Sequence, residues 1–177
     1  NEYPRLPELL QGLGKDKREK HLSASGKDYV ELPERKRLSG SWSATIKISE
    51  GCDNRCAYCV IPGIRGGYRS RTREAILAEA KKLAEEGCRE LIIIAQDVTT
   101  YGLDLYGRLA LPELLKDLCR IEKLKWIRLM YCYEDRITDE LIQVIKEEEK
   151  ICHYLDIPLQ HISDDILKGM NRRSTSK

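Results

Sequence analysis

The sequence lacks the features that would assign it to a membrane, to the secretory route or to dedicated nucleic-acid binding. No apolar run in its 177 residues approaches the length of a membrane span, and the first residues show neither the basic nor the apolar region of a signal peptide. The formal net charge is only +2, because 31 Lys and Arg oppose 29 Asp and Glu. These absences predict a globular protein of the cytoplasm.

The seven cysteines also lack the pattern of a disulfide-bonded scaffold. Their number is odd, and three of them, Cys52, Cys56 and Cys59, fall within eight positions. In a cytosolic chain such clustering favours metal ligation by reduced thiols. The spacing C-x3-C-x2-C supplies three thiolates, whereas a 4Fe-4S cluster that only carries electrons is closed by four. Three ligands leave one iron open, so the motif predicts a cluster that binds a substrate or cosubstrate directly.

A structural zinc site is the alternative interpretation of the three cysteines. Zinc is normally closed by four ligands, often in two paired C-x2-C knuckles, and the sequence has no second knuckle. His153, His161 or another cysteine would have to supply the fourth ligand. Under this alternative the protein is a non-catalytic, zinc-stabilised binding module. We expect packing roles for the remaining cysteines, Cys88, Cys119, Cys132 and Cys152.

Charge and periodicity divide the chain into residues 1–43 and residues 44–177. We interpret residues 1–43 as a linker or the end of an N-terminal domain, with a short amphipathic helix at Leu6–Leu13 and a short strand at Tyr29–Leu32. The second region alternates strands with helices in about four β-α units, which predicts a parallel α/β sheet, open or curled into a partial barrel. Four strands cannot close a barrel, so we expect a fragment truncated at its C-terminal side.

Each predicted strand is a short apolar run followed by a helix with one apolar face. The strands are predicted at Thr45–Ile48, Leu91–Ala95, Trp126–Tyr131 and Tyr154–Ile157. The helices are predicted at Thr72–Glu86, Leu111–Leu118, Ile137–Ile145 and Ser163–Met170, with Gly87 as a C-cap and Ser163 as an N-cap. In such folds ligands gather at the carboxyl ends of the strands.

Polar groups follow each of the four predicted strands and are expected to converge at the carboxyl edge of the sheet, here called the mouth. They are the three cysteines, Gln96 with Asp97, Tyr131–Tyr133, and Gln160 with His161. Side chains directly after an all-apolar strand face that mouth, which favours contact with a substrate or cosubstrate for Gln96, Asp97 and Gln160. Capping of the strand ends is the alternative.

The cysteine motif after a first strand, with Tyr58 just before the last cysteine, resembles the radical S-adenosylmethionine superfamily. The resemblance implies a partial parallel (β/α) barrel in which the three cysteines hold a 4Fe-4S cluster and S-adenosylmethionine binds the open iron. It further implies reductive cleavage to a 5′-deoxyadenosyl radical, which abstracts hydrogen from an unactivated carbon. Tyr58, Gln96, Asp97 and Gln160 are then expected to contact the cosubstrate.

A narrower resemblance, from about Ala44 to Arg173, is to the methylthiotransferases. It rests on residues 64–71, 95–107, 128–133 and 155–161. Gln96-Asp97 and the following Thr-Thr-Tyr-Gly-Leu-Asp-Leu-Tyr resemble the branch that methylthiolates an aspartate of small-subunit ribosomal protein twelve. The tRNA-modifying branch tends to read Gln-Asn there and is the alternative within the family.

The resemblance also implies partners outside this sequence. It implies an N-terminal domain with a second 4Fe-4S cluster, a C-terminal nucleic-acid-type β-barrel that contacts RNA, and a reductant protein. Within the sequence, four arginines cluster at a helix N-terminus, where the macrodipole disfavours positive charge. These are Arg65, Arg69, Arg71 and Arg73. We expect an acidic partner or adjacent domain to compensate them, with a solvated loop as the alternative.

Overall fold

Short strands alternate with helices over the residues that the computed structural model describes, which are 6–12, 31 and 42–176. The helices are α1 (Leu6–Gly12), α2 (Ile61–Arg65), α3 (Arg73–Glu85), α4 (Leu103–Tyr106), α5 (Leu111–Cys119), α6 (Asp139–Glu147) and α7 (Asp164–Gly169). The strands are β1 (Ser43–Lys47), β2 (Ser49–Glu50), β3 (Arg69–Ser70), β4 (Glu90–Ile94) and β5 (Trp126–Leu129). Single 3-10 turns at Val98–Thr100 and Glu134–Arg136 follow β4 and β5.

The core is a parallel sheet in which β4 lies between β1 and β5. The register places Ile46 beside Ile93 and Ile93 beside Leu129, so one fully buried layer runs across all three strands. The other face of β4 is only half-buried, whereas its continuous apolar run predicted a strand covered on both faces. The first three predicted strands and the α/β class are confirmed.

Helices pack their apolar faces on this sheet through residues spaced three and four apart. They include Ile76, Ala80, Leu83 and Ala84 of α3, Leu111, Leu114, Leu115 and Leu118 of α5, and Leu141, Val144 and Ile145 of α6. The Thr72 hydroxyl caps α3 by accepting from the Ala75 amide at 3.3 Å. Gly87, at φ +100°, ends α3 in the left-handed conformation, as predicted.

The predicted fourth strand, Tyr154–Ile157, is wrong. Residues 152–161 contain no strand, and this segment meets β5 through an isolated parallel bridge between Ile127 and Ile151. The Cys152 amide donates to the Ile127 carbonyl and the Cys132 amide donates to the Asp156 carbonyl. The Ile127 amide donates to the Lys150 carbonyl, so between the Ile127 and Cys132 amides the chain of β5 advances five residues while the partner carbonyls advance six, from Lys150 to Asp156. A parallel ladder cannot continue across such unequal steps.

The outer parts of the chain add little to the core that is described. Helix α1 confirms the N-terminal helix, while Leu13 and most of the predicted strand Tyr29–Leu32 lie outside the described residues. Helix α7 begins after Ser163 as predicted, but the Ser163 side chain makes no cap hydrogen bond. Within residues 6–12, 31 and 42–176, every helix is too short or too polar to cross a bilayer.

Candidate functional site

The candidate site is built around residues 51–60, here called the cysteine loop, which leave the carboxyl end of β1 through β2. Strands β2 and β3 pair antiparallel, Ser49 with Ser70 and Glu50 with Arg69. This two-stranded ribbon brings together the two ends of residues 51–68, which include the cysteine loop. Asp104 of α4 holds β3 in place, since its carboxylate accepts from the Ser70 amide at 2.8 Å and from the Ser70 hydroxyl at 2.6 Å. The loop is therefore fixed at both of its ends.

Gly51 allows the start of the cysteine loop to lie against the returning chain. Its φ is +78°, and a Cβ placed on it would lie 2.1 Å from the Gly67 carbonyl oxygen. The next amide, that of Cys52, donates to the Gly66 carbonyl at 3.3 Å. A residue with a side chain at position 51 would push the two segments apart, so this glycine positions the first cysteine.

The three thiols of the motif are free and share this loop. Cys52 is buried, Cys56 and Cys59 are half-buried, and the Cys59 amide closes a turn on the Cys56 carbonyl at 3.0 Å. Burial raises the pKa of the Cys52 thiol, and the charges of Asp97, Cys56 and Cys59 raise it further. The negative charges of this site would therefore be stabilised by a bound metal assembly, which deprotonates its thiol ligands.

The geometry does not favour the zinc alternative. Zn–S bonds of about 2.3 Å would bring four ligand atoms close around a single ion. Among the residues that the structure describes, no three His, Cys, Asp or Glu side chains converge in that way. His153 and His161, the two histidines considered for a fourth ligand beside another cysteine, are exposed. Three thiols on a loop without a fourth ligand fit a cluster, which receives each thiolate on a different iron.

Asp97 organises the site from within. It is 1% exposed, and its carboxylate accepts from the Asn54 amide at 2.9 Å, the Thr99 hydroxyl at 2.5 Å and the Thr100 hydroxyl at 2.7 Å. Arg136, from the turn after β5, pairs with the same carboxylate at 3.2 Å and donates to the Asn54 side-chain oxygen at 3.1 Å. Asn54 lies between Cys52 and Cys56, so this network ties the cysteine loop to the ends of β4 and β5.

A second set of contacts reaches the cysteine loop from the C-terminal end of α7. The Met170 carbonyl accepts from the Ala57 amide at 2.9 Å, and the Asn171 side chain donates to the Arg55 carbonyl at 2.6 Å. Arg172, which follows them, stacks on the Tyr133 ring, with the guanidinium carbon 4.1 Å from the ring centroid. Elements distant in sequence therefore hold both sides of the loop.

The other predicted site residues occupy different environments. Tyr58 is 53% exposed, and burial together with the neighbouring Cys56 raises the pKa of its hydroxyl. Gln96 is half-buried, and its side-chain oxygen has no hydrogen-bond partner among the described residues. Gln160 is exposed, with φ at +67°, and His161 is exposed and accepts from the Ser163 amide at 2.9 Å.

The four arginines do not form one exposed cluster, and their charge is compensated within the chain. Arg71 is buried between Glu31 and Glu79, at 2.7 and 2.6 Å. Arg73 pairs with Asp117 at 3.4 Å. Arg65 lies 3.7 Å from Glu50, and Arg69 donates to the Gly67 and Arg65 carbonyls. The expected compensation by an acidic partner or adjacent domain is therefore wrong for Arg65, Arg71 and Arg73, which lie beside carboxylates of this chain, whereas Arg69 donates to carbonyl groups.

Sequence reasoning missed three residues that build the site, namely Asn54, Arg136 and Arg172, whereas Tyr133 was among the polar groups expected there. The contacts of Asn54 with Asp97 and of Arg136 with Asn54 join positions 43 and 82 residues apart, and helical or strand periodicity carries no information about such distances. One available signal was that Asn54 lies inside the cysteine motif.

Comparison with known proteins identifies close relatives. The chain is 54% identical over 153 residues to the ribosomal protein uS12 methylthiotransferase RimO of Alkaliphilus oremlandii, covering 86% of this chain and 35% of that protein. It is 51% identical over 177 residues to the protein of the same name from Geobacter sulfurreducens, covering 98% of this chain and 39% of that protein. The chain thus spans well under half the length of these curated relatives.

Two further comparisons concern the fold. The structure of a radical S-adenosylmethionine methyltransferase, TsrM, from Kitasatospora setae superimposes with a TM-score of 0.60 at 19% identity. The match covers 76% of this chain and 26% of that one, and supports the fold alone. The family model described as Radical SAM superfamily matches residues 46–177, which include the cysteine loop, the sheet and α7. The chain belongs to the radical SAM superfamily.

Proposed function

We propose that this chain is the core of a radical S-adenosylmethionine methylthiotransferase that replaces a C–H bond with C–S–CH3 on an aspartate of ribosomal protein uS12. The observation that carries the proposal is the set of three free thiols on one fixed loop, at the carboxyl edge of a parallel sheet. Relatives named ribosomal protein uS12 methylthiotransferase RimO, about half identical to this chain, support the substrate.

Cys52, Cys56 and Cys59 would hold a 4Fe-4S cluster. When bound, the cluster leaves one iron free for S-adenosylmethionine and supplies the electron that cleaves it. Other elements hold the Asn54 side chain and the backbone of Arg55 and Ala57. These contacts would keep the three thiols at fixed positions relative to one another. The Cys56 thiol, which lies 3.9 Å from the Tyr133 hydroxyl, would exchange that contact for iron.

Gln96 and Tyr58 are the side chains that suit the cosubstrate best. The Gln96 side-chain oxygen is a buried acceptor without a donor among the described residues, and the amino group of S-adenosylmethionine would supply one. The exposed Tyr58 ring lies beside Cys56 and offers a stacking surface for adenine. Gln160 remains a predicted contact.

Asp97 has a different proposed role from the cosubstrate contact that its position in the sequence suggests. Its carboxylate is buried and already receives hydrogen bonds from Asn54, Thr99, Thr100 and Arg136. We assign it to positioning of the cysteine loop. A carboxylate with this many donors has little remaining capacity to bind a further ligand.

The remaining parts of the proposal concern the whole protein. The family match begins at residue 46, which supports a core over 44–177 and a linker or domain end over 1–43. A second 4Fe-4S cluster would need cysteines from outside this sequence, since residues 1–51 contain none. We further propose a reductant protein, because the cluster must receive the electron that it supplies, and an RNA contact through a further domain and a cytoplasmic location, because the proposed substrate is a ribosomal protein.

The test is to reconstitute the chain anaerobically with iron and sulfide, reduce it strongly and measure cleavage of S-adenosylmethionine. We expect a brown protein that forms 5′-deoxyadenosine, whereas a zinc module stays colourless and inert. Methylthiolation is then assayed with the full-length protein on small ribosomal subunits and, in parallel, on tRNA. Methylthiolation of uS12 alone supports the proposal, and methylthiolation of tRNA alone refutes the proposed substrate.

A further inference from the structure

The most distinctive feature outside the cysteines is a buried positive charge next to them. Arg172 is 8% exposed and donates to the Glu134 carboxylate at 2.5 and 2.6 Å and to the Pro158 carbonyl at 2.9 Å. Its guanidinium stacks on Tyr133, whose hydroxyl lies 3.9 Å from the Cys56 sulfur. The guanidinium also interacts with the Cys56 side chain itself, so a permanently charged group lies next to a proposed iron ligand.

The backbone before Arg172 fixes this arrangement. Met170 and Asn171 hold the Arg55–Ala57 segment through the two hydrogen bonds described above. Asn171 adopts φ +55°, a conformation that turns the chain sharply as it leaves α7. Because the same three-residue segment holds the loop and places the guanidinium, the distance between the charge and Cys56 is set by the fold.

We propose that Arg172 is a positioning residue that also raises the reduction potential of the cluster held by the cysteine loop. The inference rests on the proposed function, since it concerns the proposed cluster. Three thiolates give the site net negative charge, and reduction adds one more. A fixed cation nearby stabilises the reduced form more than the oxidised form, and because Arg172 is buried, solvent screens its charge less than that of an exposed cation. Glu134 holds Arg172 in place and offsets part of its charge.

Opposite substitutions in this ion pair separate an electrostatic role from a structural one. In the full chain, reconstituted anaerobically, the midpoint potential of the cluster is measured by a redox titration followed by electron paramagnetic resonance. Arg172→Gln should lower the potential, by a five- to tenfold change in the reduction equilibrium, or about 40–60 mV for one electron. Glu134→Gln leaves the cation uncompensated and should raise it. Arg172→Lys keeps the charge and should stay nearest to the parent protein.

Iron content and a matched variant make the result decisive. Arg173 is the exposed neighbour of Arg172, so Arg173→Gln removes the same charge in the same segment and should leave the potential unchanged. An unchanged potential in Arg172→Gln at full iron content overturns the inference. If that variant binds no iron, Glu134→Gln decides, and an unchanged or lowered potential there overturns the inference. A parent protein that binds no iron refutes the proposed function itself.

Discussion

Six of the seven cysteines fall into two regions that use the same side chain in opposite ways, and the seventh, Cys152, is half-buried and lies outside both. In the hydrophobic core, Cys88, Cys119 and Cys132 pack among aliphatic residues, and burial raises the pKa of Cys119 and of Cys132 to about 12. In the cysteine loop, Cys52, Cys56 and Cys59 lie on irregular backbone at the edge of the sheet. The core cysteines act as small hydrophobic residues, while the loop cysteines are arranged for ligation.

The two regions differ in which part of the cysteine segment the neighbouring residues contact. In the core, neighbours contact the sulfur itself, as where the Cys88 thiol donates to the Glu90 carbonyl at 3.1 Å. In the loop, other elements bind mainly the backbone and Asn54, through Asp97, Arg136, Met170 and Asn171, and one sulfur, that of Cys56, lies 3.9 Å from the Tyr133 hydroxyl. A loop that is fixed through its backbone can present its thiols to an external group without collapsing when that group is absent.

The largest expected effect separates the two regions directly. Cys56→Ala should abolish binding of the 4Fe-4S cluster, because two thiolates cannot hold three of its irons. Cys132→Ala should keep the cluster and lower stability by about 2 kcal/mol or less, as for loss of a small buried group. Iron and sulfide analysis after anaerobic reconstitution measures the first effect, and urea unfolding measures the second. Equal iron content in both variants would refute the assignment of the loop cysteines to ligation and of the core cysteines to packing.

Removal of the Asp97 charge should have the next largest effect, because it detaches the loop without touching a thiol. Asp97→Asn leaves Arg136 without its buried partner, and breaking such a pair costs about 3–5 kcal/mol. Urea unfolding of the metal-free chain gives the stability, and reconstitution should yield less iron than the parent protein binds. Asp165→Asn, at an exposed position of α7, is the matched control. Full stability in Asp97→Asn would show that the network does not hold the loop.

A smaller effect is expected from two glycines of the same segment. Gly51→Ala places a methyl group against the Gly67 carbonyl at positive φ, which costs at least ~1–2 kcal/mol. Gly63, in α2, has nothing within 4 Å of an added Cβ, so Gly63→Ala should stabilise by roughly 0.5–1 kcal/mol. Thermal unfolding compares the two variants. Similar melting temperatures would argue that residues 51 and 67 are not in contact.

The smallest effect concerns pH and reports on the core cysteines. The folded state raises the pKa of Cys132 from 9.0 to about 12, so the protonated thiol is favoured by folding. The resulting stability is fully present below pH 9 and is lost as the pH rises from 9 toward 12, by about 1.4 kcal/mol at pH 10 for one thiol. Urea unfolding at pH 8 and pH 10 should show a smaller loss in Cys132→Ala than in the parent protein. An identical loss would place the titrating group elsewhere.

Much of the fold follows from local patterns, and much of the site does not. Apolar runs such as Leu91–Ala95 and the faces of α3, α5 and α6 predict the sheet and its helices, because burial imposes their periodicity. The segment at Tyr154–Ile157 has a similar composition but fails as a strand, since its spacing does not match that of β5. Composition reports burial, whereas pairing depends on the register between two segments.

The site shows the same division at the level of single residues. The cysteine spacing predicts the metal-binding loop, because ligand chemistry demands those residues close together in sequence. Asp97 was correctly expected near this loop, yet the side chain turns inward to Asn54 and Arg136. Arg172 carries no local signal at all, since its importance depends on Tyr133 and Cys56 lying nearby in the fold. Long-range contacts of this kind require the structure.

The most direct test of the account is metal analysis of the chain after anaerobic reconstitution, with and without S-adenosylmethionine. Three loop thiolates and one open iron predict about four iron and four sulfide per chain, together with a change in the cluster spectrum when the cosubstrate is added. Stoichiometric zinc without iron, or a cluster whose spectrum ignores the cosubstrate, would contradict it.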